Sequence, residues 1–180
     1  MDNTHYISTE ILSLETLKEI ISNQKLLALS DEAKVNIQKC RDYLDAKMGS
    51  NSKPIYGINT GFGSLCNVKI SNKNLSKLQE NLVKSHACGT GEEVPREIVK
   101  LMLLLKIQSL SYGHSGIQLQ TVERLVDFYN NNILPIVYTQ GSLGASGDLA
   151  PLAHLSLPLL GEGEVFFEGK KVHSSVVLQH

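Results

Sequence analysis

Residues 141–154 read GSLGASGDLAPLAH, with three glycines and an aspartate in the first eight positions and then an apolar stretch that carries a proline. Glycine at this density forces irregular backbone with positive φ or close approach, and excludes a strand interior. Pro151 fits the first turn of a helix, where its missing N–H costs nothing, and Asp148 is well placed near that helix's N-terminus. Pro158 must kink or end the same helix. A second glycine-rich stretch, IYGINTGFGSL, has Gly57, Gly61 and Gly63 within seven residues. The chain is therefore constrained to helices separated by glycine-rich loops, and the loops hold its unusual residues.

The rest of the sequence supplies those helices. Ser13 caps LETLKEII, and Ser30 caps DEAKVNIQKCRDYLDAKM, with Asp31 and Glu32 in its first turn. Val35, Ile37, Cys40, Tyr43 and Leu44 give the second helix an apolar stripe, which ends in the loop 49–54. Ser71 is placed to cap NKNLSKLQENLVKSHACG, with Leu75, Leu78, Leu82 and His86 on one face and Gly89 as the stop. Pro95 opens REIVKLMLLLKIQSLSYG, whose leucines make a stripe wide enough for burial on most sides, and IQLQTVERLVDFYNNN forms another amphipathic helix. VFFEGKKV reads as a small hairpin turning at Glu168-Gly169. The predicted fold class is mainly α, with glycine-rich loops and a small β-hairpin.

Composition narrows the function classes. With 42% apolar and 19% charged residues in a 180-residue chain, one globular domain with a real core is affordable and disorder is excluded. A net charge of −1 gives no electrostatic handle for nucleic acid or an anionic membrane surface. No leader pattern opens the chain, and no apolar run approaches the roughly 20 residues that span a bilayer. Cys40, Cys66 and Cys88 are odd in number and irregularly spaced, which fits reduced thiols in a cytoplasmic protein. The histidines and cysteines match no zinc spacing, and Ser146 lacks the context of a hydrolase nucleophile. The final VFFEGKKVHSSVVLQH stops on an apolar run, and the chain is expected to be a segment of a longer protein.

Three readings of 141–147 compete. The first is a plain turn entering a helix, with glycines at the positive-φ positions and Asp148 as cap. The second is an anion site at a helix N-terminus, which lacks the spacing and lysine of a P-loop. The third is chemical. The amide nitrogen of Gly147 can attack the carbonyl carbon of Ala145, and loss of water from the ring and of the Ser146 hydroxyl leaves a methylidene-imidazolone. Glycine at the attacking position has no Cβ to block approach, alanine is small, and serine carries a hydroxyl that can be eliminated. Gly144 helps admit the bent backbone.

GSLGASGDLAPLAHLSLPLLGEG closely resembles the signature of the aromatic amino acid ammonia-lyases and aminomutases. The likeness runs on through YGINTGFGSL, LQENLVKSHACGTGEEVP and LLLKIQSLSYGHSG in the expected order, and covers most of the chain from Tyr56 to Gly169. It is strongest toward the histidine-specific members. The resemblance implies a 4-methylidene-imidazol-5-one made from Ala145-Ser146-Gly147, with no external cofactor and no metal. It implies that Tyr56 removes the substrate's β-proton, although a tyrosine ordinarily titrates near ~10 and needs help from hydrogen bonds or positive potential, such as the helix N-terminus after Asp148. Gly57, Gly61 and Gly63 suit a mobile loop over the site, with Gly63 and His86 as substrate-binding residues and Gly144 and Asp148 in support.

His86 on an apolar helix face is, on pattern alone, a core histidine; the resemblance places Ser85-His86 instead at the pocket for the substrate side chain. Histidine-specific members carry such a pair, and some tyrosine-specific ones also have this histidine. The implied reaction is ammonia elimination from L-histidine to urocanate. The alternatives are a tyrosine or phenylalanine ammonia-lyase, an aminomutase, or a catalytically incomplete fragment. Family members are homotetramers with a large helical bundle beyond this point, so residues 1–180 correspond to the N-terminal, prosthetic-group-forming portion.

Overall fold

The computed structural model describes residues 3–50, 53–62, 66–68, 70–71 and 74–178. The architecture is mainly helical, and the chain divides into two compact units.

The first unit comprises Met1–Gly49, Pro95–Leu134 and Phe166–Lys170. Strands β1 (Thr4–Ile7) and β2 (Leu26–Leu29) pair in parallel, joined by α1 (Leu14–Ser22), because parallel neighbours need a crossover. Ser13 caps α1 as expected, its Oγ accepting from Thr16 N at 3.1 Å. Ser30 does the same for α2 (Asp31–Ser50), accepting from Ala33 N at 3.1 Å. The stripe of α2 is narrower than its sequence pattern, since Ala33 and Ile37 are buried while Val35 and Tyr43 are exposed.

The core of this unit is the packing of α4 (Arg96–Ser111) on α5 (Leu119–Asn130). Val99, Leu103, Leu104, Ile107, Val122, Phe128 and Tyr129 are all essentially inaccessible to solvent. Asn130 binds α5 to β2 by pairing with both polar groups of one residue, accepting from Leu27 N at 2.8 Å and donating to Leu27 O at 2.9 Å. Buried Gln108 and Ser111 donate to Ser8 O at 2.9 and 3.0 Å, which satisfies a polar face on a helix whose leucines suggest none. Truncating Leu103 to alanine leaves a cavity here, and a loss of about 2–5 kcal/mol in denaturant unfolding is expected.

The second unit comprises Ser50–Val94, Pro135–Val165 and Lys171–His180. Helix α3 (Leu75–His86) begins later than its sequence suggested. Ser71 closes a turn with its carbonyl, accepting from Asn74 N at 2.9 Å, and Asn74 takes the cap position. Strand β3 (Thr90–Glu93) pairs antiparallel with β5 (Tyr138–Gln140), and the short β4 (Leu134–Pro135) precedes it. None of these short strands has the alternation that would announce it, and β3 is exposed throughout.

Helix α6 (Ala150–Ser156) carries Pro151 in its first turn and passes at Pro158 into a 3₁₀ turn, Leu157–Leu160. Both proline expectations therefore hold. The hairpin of β6 (Glu164–Phe167) and β7 (Lys170–His173) turns at Glu168-Gly169, with φ of 48° and 78°, the left-handed pair that matches strand twist. The short α7 (Ser174–Val177) follows. Among the described residues no helix is long and apolar enough to cross a membrane, and Cys40, Cys66 and Cys88 are free thiols.

Candidate functional site

The described residues among those predicted for the site belong to the second unit. The loop 141–149 that carries Ala145-Ser146-Gly147 is exposed along its length. Residues 144–147 form one tight turn, in which Gly147 N donates to Gly144 O at 3.1 Å and Gly147 has φ 88°. The Asp148 carboxylate closes the loop. Its Oδ1 accepts from Ser142 N at 2.8 Å and from Ala150 N at 3.1 Å, so a single oxygen ties the entry of the loop to the start of α6.

The Ser142 backbone hydrogen bond is the main cause that holds the Asp148 carboxyl below the usual carboxylate range. The clamp is thus intact above that range and is released only as pH falls through the lowered value. Asp148 thus takes the Ala150 N–H at the start of that helix.

Gly141 is required by this clamp. A Cβ at 141 would overlap the Asp148 carboxylate, so the backbone approaches the acid as closely as glycine alone permits. Gly141→Ala is expected to break the clamp, read as faster hydrogen exchange at the Ser142 and Ala150 amides; unchanged protection would refute it.

Tyr56 stands in a turn that α3 holds in place. Gln79 Nε2 on α3 donates to Gly57 O at 3.3 Å and to Ile58 O at 2.9 Å. Buried Asn59 braces the same turn, its Oδ1 accepting from Ile55 N at 2.6 Å. A Cβ at Gly57 would lie 3.1 Å from the Phe62 ring, so that aromatic sits directly against the turn. Phe62 then joins the two predicted side chains: its ring centroid is 5.6 Å from that of Tyr56 and 5.6 Å, edge to face, from that of His86.

His86 is the last residue of α3. Its Nδ1 lies 2.6 Å from Leu82 O, a carbonyl that can only accept, so Nδ1 carries the proton and the Nε2 lone pair is the ring's acceptor. Ser85 Oγ, which donates to the same carbonyl at 3.1 Å, lies 3.3 Å from Nδ1.

Tyr56 and His86 therefore meet around Phe62, while the tripeptide stands on a separate loop joined to them through the packing of α6 on α3. Gly63 lies outside the described residues. Sequence reasoning passed over Phe62 and Gln79. Gln79 is seven residues before His86 on the same helix, but the stripe was read from Leu75, Leu78, Leu82 and His86 without it, and Phe62 looked like one more residue among loop glycines. His154 on α6 was also passed over; it is nearly buried and accepts from Gly89 N at 2.9 Å.

Comparison with known proteins places the chain in a family. A sequence model of the aromatic amino acid lyases matches residues 12–180. A histidine ammonia-lyase of Legionella pneumophila (strain Corby) is 47% identical over 165 residues, which cover 89% of this chain and 32% of that protein. The crystal structure of the ergothioneine-degrading enzyme ergothionase from Treponema denticola superposes with a TM-score of 0.91 at 29% identity, over 98% of this chain and 35% of that one. Phenylalanine aminomutase of Pantoea agglomerans gives 0.88 at 30% identity, over 98% and 33%. The chain spans about a third of the length of the curated relatives it matches.

Proposed function

Because the chain belongs to the aromatic amino acid lyase family, we propose that it serves the non-oxidative elimination of ammonia from L-histidine, giving urocanate and ammonium. In this reading residues 1–180 are the N-terminal, prosthetic-group-forming portion of a cytoplasmic homotetramer, followed by a helical bundle. The observation that carries the substrate assignment is the fixed tautomer of His86. With Nδ1 committed to Leu82 O, Nε2 offers a lone pair to an imidazole N–H of the substrate, and a hydrogen bond of that kind contributes about 1 kcal/mol.

The residues at 144–147 fit the formation of a methylidene-imidazolone. The tight turn confines the three residues, the left-handed φ of Gly147 suits glycine, and nothing lies within 4 Å of where its Cβ would be. The Gly147 amide must first leave Gly144 O. Its nitrogen then bonds to the Ala145 carbonyl carbon with loss of one water, and the Ser146 hydroxyl departs with the α-hydrogen as the second. The group so formed, held by Ala145, Ser146 and Gly147, would supply an electrophile able to activate the substrate's amine as a leaving group.

The chain's side chains do the rest. The Tyr56 phenol oxygen is the group that takes the β-proton, in a position set by Gln79 and Phe62. His86 Nε2 orients the imidazole, and the Phe62 ring forms an apolar wall between the two. Asp148 holds the tripeptide loop in one conformation during closure.

The test is incubation of the protein as it is naturally made with L-histidine, L-tyrosine and L-phenylalanine, followed by product identification. Urocanate from histidine is expected. Coumarate would overturn the substrate, since Nε2 of His86 can also accept from a phenol, and so would cinnamate, from a ring that offers no donor at all. A β-amino acid would favour the aminomutase reading, which the likeness to phenylalanine aminomutase motivates. No product would mean a catalytically incomplete chain.

A further inference from the structure

We propose that His154 is a positioning residue for this reaction, its neutral ring holding the end of the helix that presents Ser85 and His86. The inference rests on the reading of His86 as the group that orients the substrate ring. His154 is 9% exposed, and its Nε2 accepts from Gly89 N at 2.9 Å. An N–H can only donate, so Nε2 is unprotonated and the ring proton is on Nδ1. The ring is steadied edge to face against Tyr138, with centroids 5.2 Å apart at 76°. Its surroundings also include a cavity of about 100 Å³ lined by Tyr138, Leu157 and Glu164. The hydrogen bond and the Tyr138 contact, rather than tight packing on all sides, therefore fix the ring.

The contact leads directly to His86. Gly89 follows Cys88, whose N–H donates to His86 O at 2.9 Å, and Ala87 N donates to Val83 O at 3.1 Å. Fixing the Gly89 amide thus fixes the short segment that ends α3. Glycine fits closely at 89, since a Cβ there would come to 3.0 Å from His154 Nε2 and 3.3 Å from the Tyr138 Cβ. At its other end, α6 begins two residues after Asp148. One short helix therefore ties the tripeptide loop to the terminus carrying His86.

Protonation abolishes the acceptor. Burial pushes His154 below its ordinary value. The groups facing it are Tyr138 from β5 and Glu164 from β6, the latter paired with Lys171 at 3.1 Å. From α3, Lys84 is paired with Glu80 at 2.7 Å and with Glu162 at 2.5 Å, and Cys88 precedes Gly89. With the folded value lowered, the neutral ring and its bond persist down to the ordinary histidine value of about 6.5, and the bond is lost as pH falls through the lowered one.

The test compares wild type, His154→Phe and His154→Gln, each in the naturally made protein, by urocanate formation across pH and by thermal melting. At about pH 8, His154→Phe is expected to raise KM for histidine about 3- to 10-fold with kcat within about twofold, the size of one lost hydrogen bond. His154→Gln, whose amide oxygen replaces the acceptor, is expected to restore KM. It should also lack the part of the acid-side KM rise, below about pH 6.5, that wild type owes to protonation of its own ring; the substrate ring titrates alike in both. A KM unchanged in His154→Phe, or kcat and KM lost in both variants without rescue, overturns the inference while leaving an active wild type. Should His154→Phe not fold, an identical acid-side rise in wild type and His154→Gln overturns it. A wild type that makes no urocanate overturns the functional reading itself.

Discussion

A Ser146→Ala protein is expected to retain the mass of its unmodified chain and to lose turnover of histidine by on the order of 10⁴-fold or more. Alanine at 146 has no β-hydroxyl, so ring closure between Gly147 and Ala145 cannot proceed to the exocyclic methylene, and no electrophile results. The substitution removes a single oxygen from an exposed loop whose turn is held by the Gly147–Gly144 backbone bond and whose ends are held by Asp148. Folding should therefore be unaffected, with melting behaviour matching wild type. Intact mass separates the chemistry from the fold: wild type is expected to be short by two waters and Ser146→Ala is not. A wild type of full mass and full activity would sink the cyclisation mechanism.

Tyr56→Phe is expected to lower kcat by about 10²- to 10⁴-fold, the usual worth of a positioned general base. Phenylalanine keeps the ring contact with Phe62, and the turn remains tied to α3 by Gln79. Only the proton acceptor is lost, so the tripeptide should mature normally and the mass should stay short by two waters. The limb of the pH–rate profile that reports the base should vanish with it. An unchanged profile would remove Tyr56 from the proton transfer. The two substitutions thus separate electrophile from base by mass, although both abolish most of the turnover.

Much of this arrangement was legible in the order of the residues because it rests on local chemistry. The caps at Ser13 and Ser30, the helix entry at Pro151, the break at Pro158 and the turn at Glu168-Gly169 each depend on interactions within a few positions. The short strands were not legible. β1 and β2 pair across a crossover, with β2 tied to distant Asn130, and β3 is a polar segment made into a strand by its partner alone. The start of α3 was misplaced because a serine can close a turn with its carbonyl as readily as it caps a helix with its hydroxyl.

For the site, the sequence by itself determined which atoms can react. The order Ala145-Ser146-Gly147, the phenol of Tyr56 and the imidazole of His86 are covalent facts, and their reactivity follows from residue type. The folded structure decided how they are held, in part within one helix or loop and in part by tertiary packing. His86 gains a defined tautomer because Leu82 O lies within reach, Tyr56 acquires a neighbour through Phe62, and Gly141 becomes obligatory because Asp148 folds back against it. His154, unremarkable as a letter, becomes an anchor because Gly89 comes to it from 65 residues away. A hydrogen bond needs a partner at about 3 Å and a lone pair pointing at it. Sequence specifies the groups, and for Gly89 and His154 only the packing of α3 against α6 supplies that distance and direction.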